Sequence, residues 1–271
     1  MSEAEIILQT PQPATRSSLL SDLIALGVQP GSTLLVHSSM SAMGWVCGSA
    51  QAVVEALLDS VGSTGTLVMP AYSSDLSDPA FWVNPPVPTD WWPTIRESMP
   101  AYDTSLTPTR EMGKIVECFR TLPGVLRSDH PQFSFSAFGP NAKLITENHQ
   151  FNFALGEGSP LARIYELDGY VLLQGVDHDR NTSLHLAEHR MELRPNKPIE
   201  NGAPVFRNGK REWVTIRDIE LHGGDFVKLG TDFERGAHNQ SKTAKVGQAQ
   251  AKLFSQRSIV DFAKRWMEQH R

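Results

Sequence analysis

An α/β/α sandwich around a central mixed sheet, with a small antiparallel hairpin-rich element beside it, is the fold this sequence predicts, and three features predict it. Short apolar strands at 33–37 (TLLVH) and 66–69 flank a helical stretch at 49–61, the strand–helix–strand order of a βαβ unit. Further apolar strands at 134–139 and 170–175 alternate with helical segments near 113–121, 141–147 and 160–167. From 197 to 214 the pattern changes to short strands punctuated by Asn201-Gly202 and Asn208-Gly209, dipeptides that favour tight hairpin turns.

The elements follow in order. Residues 1–14 read as a polar, flexible leader, and 15–271 as one domain. The first helix spans 15–26, with Thr15 or Ser17 as N-cap, Gly27 as its stop and Pro30-Gly31 beyond. The first strand runs into the small polar residues SSMSAMG before the second helix. Residues 71–109 are rich in Pro, Asp, Ser and Trp, without sustained periodicity. Loops this long are functional or disordered, and Trp82, Trp91 and Trp92 argue for an ordered insertion. A helix begins near Thr182, helices at 224–235 and 258–269 close the chain, and a single strand at 246–254 lies between them.

Composition narrows the function classes. With 40% hydrophobic and 20% charged residues in 271, the chain is a folded globular protein. A net charge of −5 leaves no basic excess to neutralise a phosphate backbone, which excludes nucleic acid as the main partner and suits a cationic small molecule. Cys47 and Cys118 are too few for a disulfide framework and match no metal spacing, so a reducing compartment is expected. No basic start leads into an apolar stretch, and no run approaches the roughly 18 apolar residues that span a bilayer. A cytoplasmic protein without a membrane partner, monomer or homodimer, is the expectation.

Chemistry concentrates in Tyr170 to Arg190, YVLLQGVDHDRNTSLHLAEHR. A buried strand ends at Gly175, a polar loop follows, and Asn181 or Thr182 caps a helix carrying His185, Glu188 and His189. Ligands of α/β sheets gather at the carboxyl ends of strands, and His185 lies one turn into the helix that starts there. The same stretch contains HLAEH, an H-x-x-E-H pattern in which His185 and His189 would hold zinc while Glu188 activates water. The alternatives are a packed histidine beside a solvated face, or a different catalytic use. There is no GxGxxG or Walker sequence, so a phosphate contact is not legible from glycines.

The segment LLQGVDHDRNTSLHLAE resembles the signature of the aminoglycoside 3-N-acetyltransferases. LLVHSSMSAMGWV, TLVMPAYSSDLSDP, TPTREMGKIVECFRTLPGVLRSDHP and GEGSPLARIYELDG resemble the same family in order and spacing, over nearly the whole chain. The insertion WVNPPVPTDWW is similar to that of Bacillus-type members. The resemblance implies transfer of acetyl from acetyl-CoA, without a metal, to the 3-amino group of a 2-deoxystreptamine aminoglycoside, and so antibiotic resistance. It implies His185 as general base. Thr182, on nearly the same helical face, would contact the thioester oxygen or departing sulfur, or else cap the helix. Asp218 and Glu220 (RDIEL) match acidic acceptor-site positions; one would orient His185, or both would bind substrate amines, with Glu188 also on the substrate side. His37, Ser38 and Ser39 would lie on the CoA side, and Arg127, Ser128 and His130 (RSDHP) would approach CoA or the acetyl group, with a buried structural role for His130 as the alternative. Leu155-Gly156 stand where some members present a further histidine, so no role transfers there.

Acetyl transfer through Cys118 is a separate route. IVECFRTL, however, reads as an amphipathic helix with Ile115, Cys118, Phe119 and Leu122 on its apolar stripe, which favours direct transfer in a ternary complex. Three rivals stand beside this reading: a zinc-dependent hydrolase using HLAEH, a ligand-binding protein without catalysis, and an acetyltransferase for a non-aminoglycoside amine.

Overall fold

The computed structural model describes residues 3–192, 197–236 and 241–271. Among them a seven-stranded sheet runs β3-β4-β2-β1-β5-β9-β8, formed by β1 (Thr33–Ser38), β2 (Thr66–Pro70), β3 (Leu126–Arg127), β4 (Phe135–Phe138), β5 (Tyr170–Gln174), β8 (Ser241–Val246) and β9 (Ala249–Ser255). β1 pairs in parallel with β2 and β5, whereas β4, β9 and β8 join antiparallel to their neighbours. The sheet is therefore mixed, with its parallel strands at the centre, as expected.

Strand alternation explains the two helical layers. Leu34, Val36, Leu67, Met69 and Leu172 face one core with α2 (Arg16–Leu26), α3 (Ser49–Val61) and α5 (Gly113–Arg120). Leu35, Val68, Val171 and Leu173 face the other. That layer holds α6 (Ala142–Thr146), α7 (Pro160–Glu166), α8 (Ser183–Arg190), α9 (Phe226–Gly236) and α10 (Gln256–His270). Local signals set the ends: Thr15 Oγ1 accepts from the Ser18 amide (3.1 Å), Ser18 Oγ accepts from the Thr15 amide (2.9 Å), and α2 stops at Gly27 with φ 108°.

Three expectations change. Within the leader, Glu3–Gln9 form a helix, α1, that buries no side chain; its first two residues lie outside the described ones. The single strand at 246–254 is the second half of a hairpin, β8–β9, turning at Gly247. Of the two Asn-Gly dipeptides only Asn208-Gly209 turns. Asn201-Gly202 lies inside β6 (Pro198–Arg207), where Asn201 pairs with Ile216 and Gly202 with Thr215 of β7 (Lys210–Ile219). Packing selected that glycine: a Cβ on Gly202 would stand 2.4 Å from Trp213 Nε1.

The insertion is ordered by this hairpin. It contains α4 (Trp92–Ser98) and is lashed across by the Asp78 amide to Asn201 Oδ1 (2.9 Å), the Tyr102 amide to Pro204 O (3.0 Å) and Arg211 Nε to Met99 O (2.7 Å). No helix among the described residues is long and apolar enough to cross a membrane.

Candidate active site

β1, β2 and β5 end together, and the loops beyond them bring the sequence candidates to one edge of the sheet. His37 is the next-to-last residue of β1, and its Nε2 lies 3.3 Å from Thr182 Oγ1 at the start of α8. Thr182 occupies the N-cap position of α8, but its side chain does not do the capping. Asn181 Oδ1 accepts the Ser183 amide (3.2 Å), and the threonine hydroxyl makes no capping bond. Burial, then the neighbouring His185, lowers His37 from 6.5 to about 3, so its ring is neutral. Ser38 and Ser39 follow, half-buried, with Ser39 Oγ 3.2 Å from Ser41 Oγ.

One turn into α8, His185 Nδ1 stands 2.6 Å from Glu188 Oε2, the i, i+3 spacing that puts both on one helical face. The Glu188 side chain is 0% exposed. Burial would raise its carboxyl, but the hydrogen bonds from His185, Arg271 Nη1 (2.5 Å) and the His222 amide (3.0 Å) outweigh it and hold the group below its ordinary range. An ionised acceptor requires a proton on Nδ1, so in the neutral imidazole Nε2 carries the lone pair. The imidazole is 19% exposed and packs on the Phe226 ring at 4.9 Å. The carboxylate facing His185 Nδ1 is thus Glu188 and not Asp218. Both Glu188 oxygens, expected among the substrate contacts, are engaged by protein groups.

Asp218 is buried at the end of β7, accepting from the Ala154 amide (2.9 Å) and its neighbour Ile219 (2.8 Å), with burial raising its carboxyl. His189 Nε2 lies 3.4 Å from its Oδ1. Glu220 stands just past the strand, 52% exposed, with His222 Nε2 3.9 Å away. In HLAEH, therefore, His185 faces Glu188 while His189 faces Asp218, and the two imidazoles do not converge as a zinc pair would. Among the described residues one trio has metal-ligand spacing, Asp177, His178 and Glu234. The Lys252 ammonium already bridges its carboxylates, at 2.9 Å and 2.8 Å.

RSDHP turns inward. Arg127 Nη1 donates to Thr107 O (2.6 Å), Nη2 to Ala71 O and Ser73 Oγ (both 2.7 Å), and Nε to Ser134 Oγ (3.0 Å), so this guanidinium holds the insertion's two ends to the sheet. Ser128 Oγ accepts the Phe135 amide (2.9 Å) and lies 2.9 Å from His149 Nδ1. His130 accepts the Gln132 and Phe133 amides at Nδ1 (3.1 and 3.0 Å) and donates from Nε2 to Phe151 O (3.1 Å). All three make their hydrogen bonds within the protein, the pattern that the structural alternative for His130 describes, and the Arg127 guanidinium is engaged on every nitrogen. Cys118 packs against the core on α5, and burial raises its thiol.

Two groups escaped the sequence reading. The Tyr72 hydroxyl, beyond β2, is buried facing Thr182 without a hydrogen bond of good geometry, and burial raises its phenol. Arg271 is far from HLAEH in sequence, and no local pattern marks it as Glu188's partner.

Parallel strands whose carboxyl ends gather an imidazole–carboxylate pair, a neutral histidine and a free hydroxyl define an α/β protein with its polar site where such sheets bind ligands. Comparison with known proteins agrees. The family model described as aminoglycoside 3-N-acetyltransferase matches residues 35–268. A Bacillus subtilis (strain 168) protein, the SPbeta prophage-derived aminoglycoside N(3')-acetyltransferase-like protein YokD, is 48% identical over 97% of this chain and 95% of its own. Its crystal structure superposes with a TM-score of 0.95 at 47% identity, covering 98% and 97% of the two chains. The aminoglycoside N(3)-acetyltransferase IX of Micromonospora chalcea is 34% identical over 99% and 98%. A structure described as AAC-IIIb binary with CoASH has a TM-score of 0.85 at 32% identity, covering 96% and 98%. Another, AAC-VIa bound to sisomicin, has 0.86 at 30%, covering 96% and 99%. The chain belongs to the aminoglycoside 3-N-acetyltransferase family, a family of acyltransferases.

Proposed function

We propose that this protein transfers acetyl from acetyl-CoA to the 3-amino group of 2-deoxystreptamine aminoglycosides, conferring antibiotic resistance in the cytoplasm. Transfer is direct within a ternary complex, with His185 as general base. The single observation that carries the mechanism is the Nδ1 contact to buried Glu188 in a part-exposed imidazole, which leaves Nε2 as the nitrogen available to accept a proton. The relatives described as bound to CoASH and to sisomicin support the two substrate classes.

In this reading the amine nitrogen attacks the acetyl carbonyl carbon while His185 Nε2 takes its proton. The C–N bond forms, the C–S bond breaks, and the proton passes to the departing thiolate. Thr182 Oγ1 and the Tyr72 hydroxyl, beside neutral His37, face the thioester, where donors to the developing oxyanion act strongly in a buried site. Glu220 offers its exposed carboxylate to the cationic sugar, and Asp218 shapes the same wall through its amide contacts.

Thiol release from acetyl-CoA across aminoglycosides and simpler amines tests this, followed by NMR location of the acetylated nitrogen. Turnover with aminoglycosides acetylated at N3 is expected. Turnover confined to other amines would replace the acceptor class, and CoA binding without thiol release from any amine would remove the catalytic reading.

A further inference from the structure

Arg271 follows α10, and its side chain is 10% exposed. Nη1 donates to Glu188 Oε1 (2.5 Å), Nη2 to His222 O and Asp225 Oδ1 (both 2.6 Å), and Nε to Asp225 Oδ2 (2.9 Å). The guanidinium carbon also lies 5.9 Å over the Phe226 ring, which packs against His185. One planar cation thus joins the carboxylate under the imidazole to the loop and ring beside it. A rigid fork of donors suits several fixed acceptors at once.

We propose that Arg271 is the positioning residue of the His185–Glu188 pair: by gripping Glu188 Oε1 it keeps Oε2 turned to His185 Nδ1. The proposal rests on His185 being the base. Glu188 has several rotatable bonds, and without the guanidinium only the His222 amide would hold Oε1. A buried carboxylate stripped of its cation is costly, and it would swing or draw the imidazole's proton fully onto the pair. The other groups that face the imidazole are fixed in different ways. His37 on β1 is neutral, Asp218 on β7 is held by two amides and lies beside His189, and Asp225 is spent on Arg271 itself. Arg271 is the one cation in contact with Glu188 among the described residues.

Arg271→Met keeps most of the apolar stem over Phe226 and removes every donor. Its kcat should fall about 10- to 100-fold, with KM for acetyl-CoA and for the amine changed less than about twofold, as expected for lost orientation rather than lost binding. With Glu188 no longer neutralised, the imidazolium gains stability, so the acid limb of kcat/KM should move up by about half a pH unit or more. Nitrogen-15 NMR of the folded protein should show one His185 tautomer, protonated at Nδ1, in the parent and a mixture in the variant. Arg271→Lys, which keeps the charge but not the fork, should restore the limb and recover only part of kcat; it also serves if the methionine variant does not fold. An unchanged kcat would overturn the proposal, as would a loss that tracks the unfolded fraction while limb and tautomer stay put. The NMR arm needs no turnover. If His185→Ala kept its activity, the base would be reassigned, and the tautomer measurement would still judge the clamp.

Discussion

The Glu188 carboxylate lies 2.6 Å from His185 Nδ1, and in the proposed mechanism it gives the imidazole its direction. Glu188→Gln keeps the size but removes the charge, so kcat should fall about 10- to 100-fold while acetyl-CoA affinity is retained. The acid limb of kcat/KM should move to lower pH, opposite to the Arg271→Met shift, because the imidazolium loses its counter-charge. Stability follows the same carboxylate. Its folded value lies below the ordinary 4.5, so what it contributes is present above that pH and is lost as pH falls through the folded value. Thermal melts of parent and Glu188→Gln from pH 7 to 3 should therefore converge at the acid end. That His185, Thr182 and His37 lie together was legible because strand ends and helix starts mark where α/β sheets gather polar groups. The surroundings of Glu188 were not legible: its pairing with His185 was not foreseen, and the Arg271 contact spans 83 positions.

At the scale of elements, the hairpin and the insertion stabilise each other. Gly202 is needed because the Trp213 indole lies where a side chain would be, so Gly202→Ala should destabilise the protein by about 1–3 kcal/mol, read by denaturant melts. Arg127→Met would take the guanidinium's donors away from the carbonyls of Ala71 and Thr107 and the hydroxyl of Ser73, leaving Ala71 O to Ser134 Oγ and Ser73 Oγ to Pro108 O. Hydrogen exchange over 71–109 should then rise well before that of the central strands, whereas an unchanged pattern would show that the staple is redundant. These contacts explain the limits of local reading. Asn201-Gly202 has the chemistry of a tight turn, yet the ladder to β7 continues through it, because Asn201 Oδ1 is taken by the Asp78 amide and its own neighbour Gly202 (2.7 Å). β8 was missed since SKTAKV is mostly polar and exposed, as suits a strand at the sheet's edge.

The whole molecule reads as two helical layers on one mixed sheet, and this much was visible in advance because buried parallel strands are near-continuous apolar runs. Strand order was not visible, since it depends on which edges meet. The buried histidines give the assembly a common response to acid. His149 is lowered by burial from 6.5 to about 4, His37 similarly to about 3, and His130 falls well below its ordinary value. Each binds its proton more readily when unfolded, so the stability they sustain is full above pH 6.5 and declines as pH drops toward these folded values. Tm should fall between pH 6.5 and 4, with a shallower slope in His149→Gln than in the parent. In the proposed mechanism, transfer depends on one lone pair at the edge of that sheet. His185→Gln, measured side by side for acetyl-CoA affinity by calorimetry and for single-turnover acetyl transfer to an aminoglycoside, tests this most directly. Affinity within about threefold and transfer slowed by about 100-fold or more are predicted; transfer at the parent's rate would contradict His185 as the base.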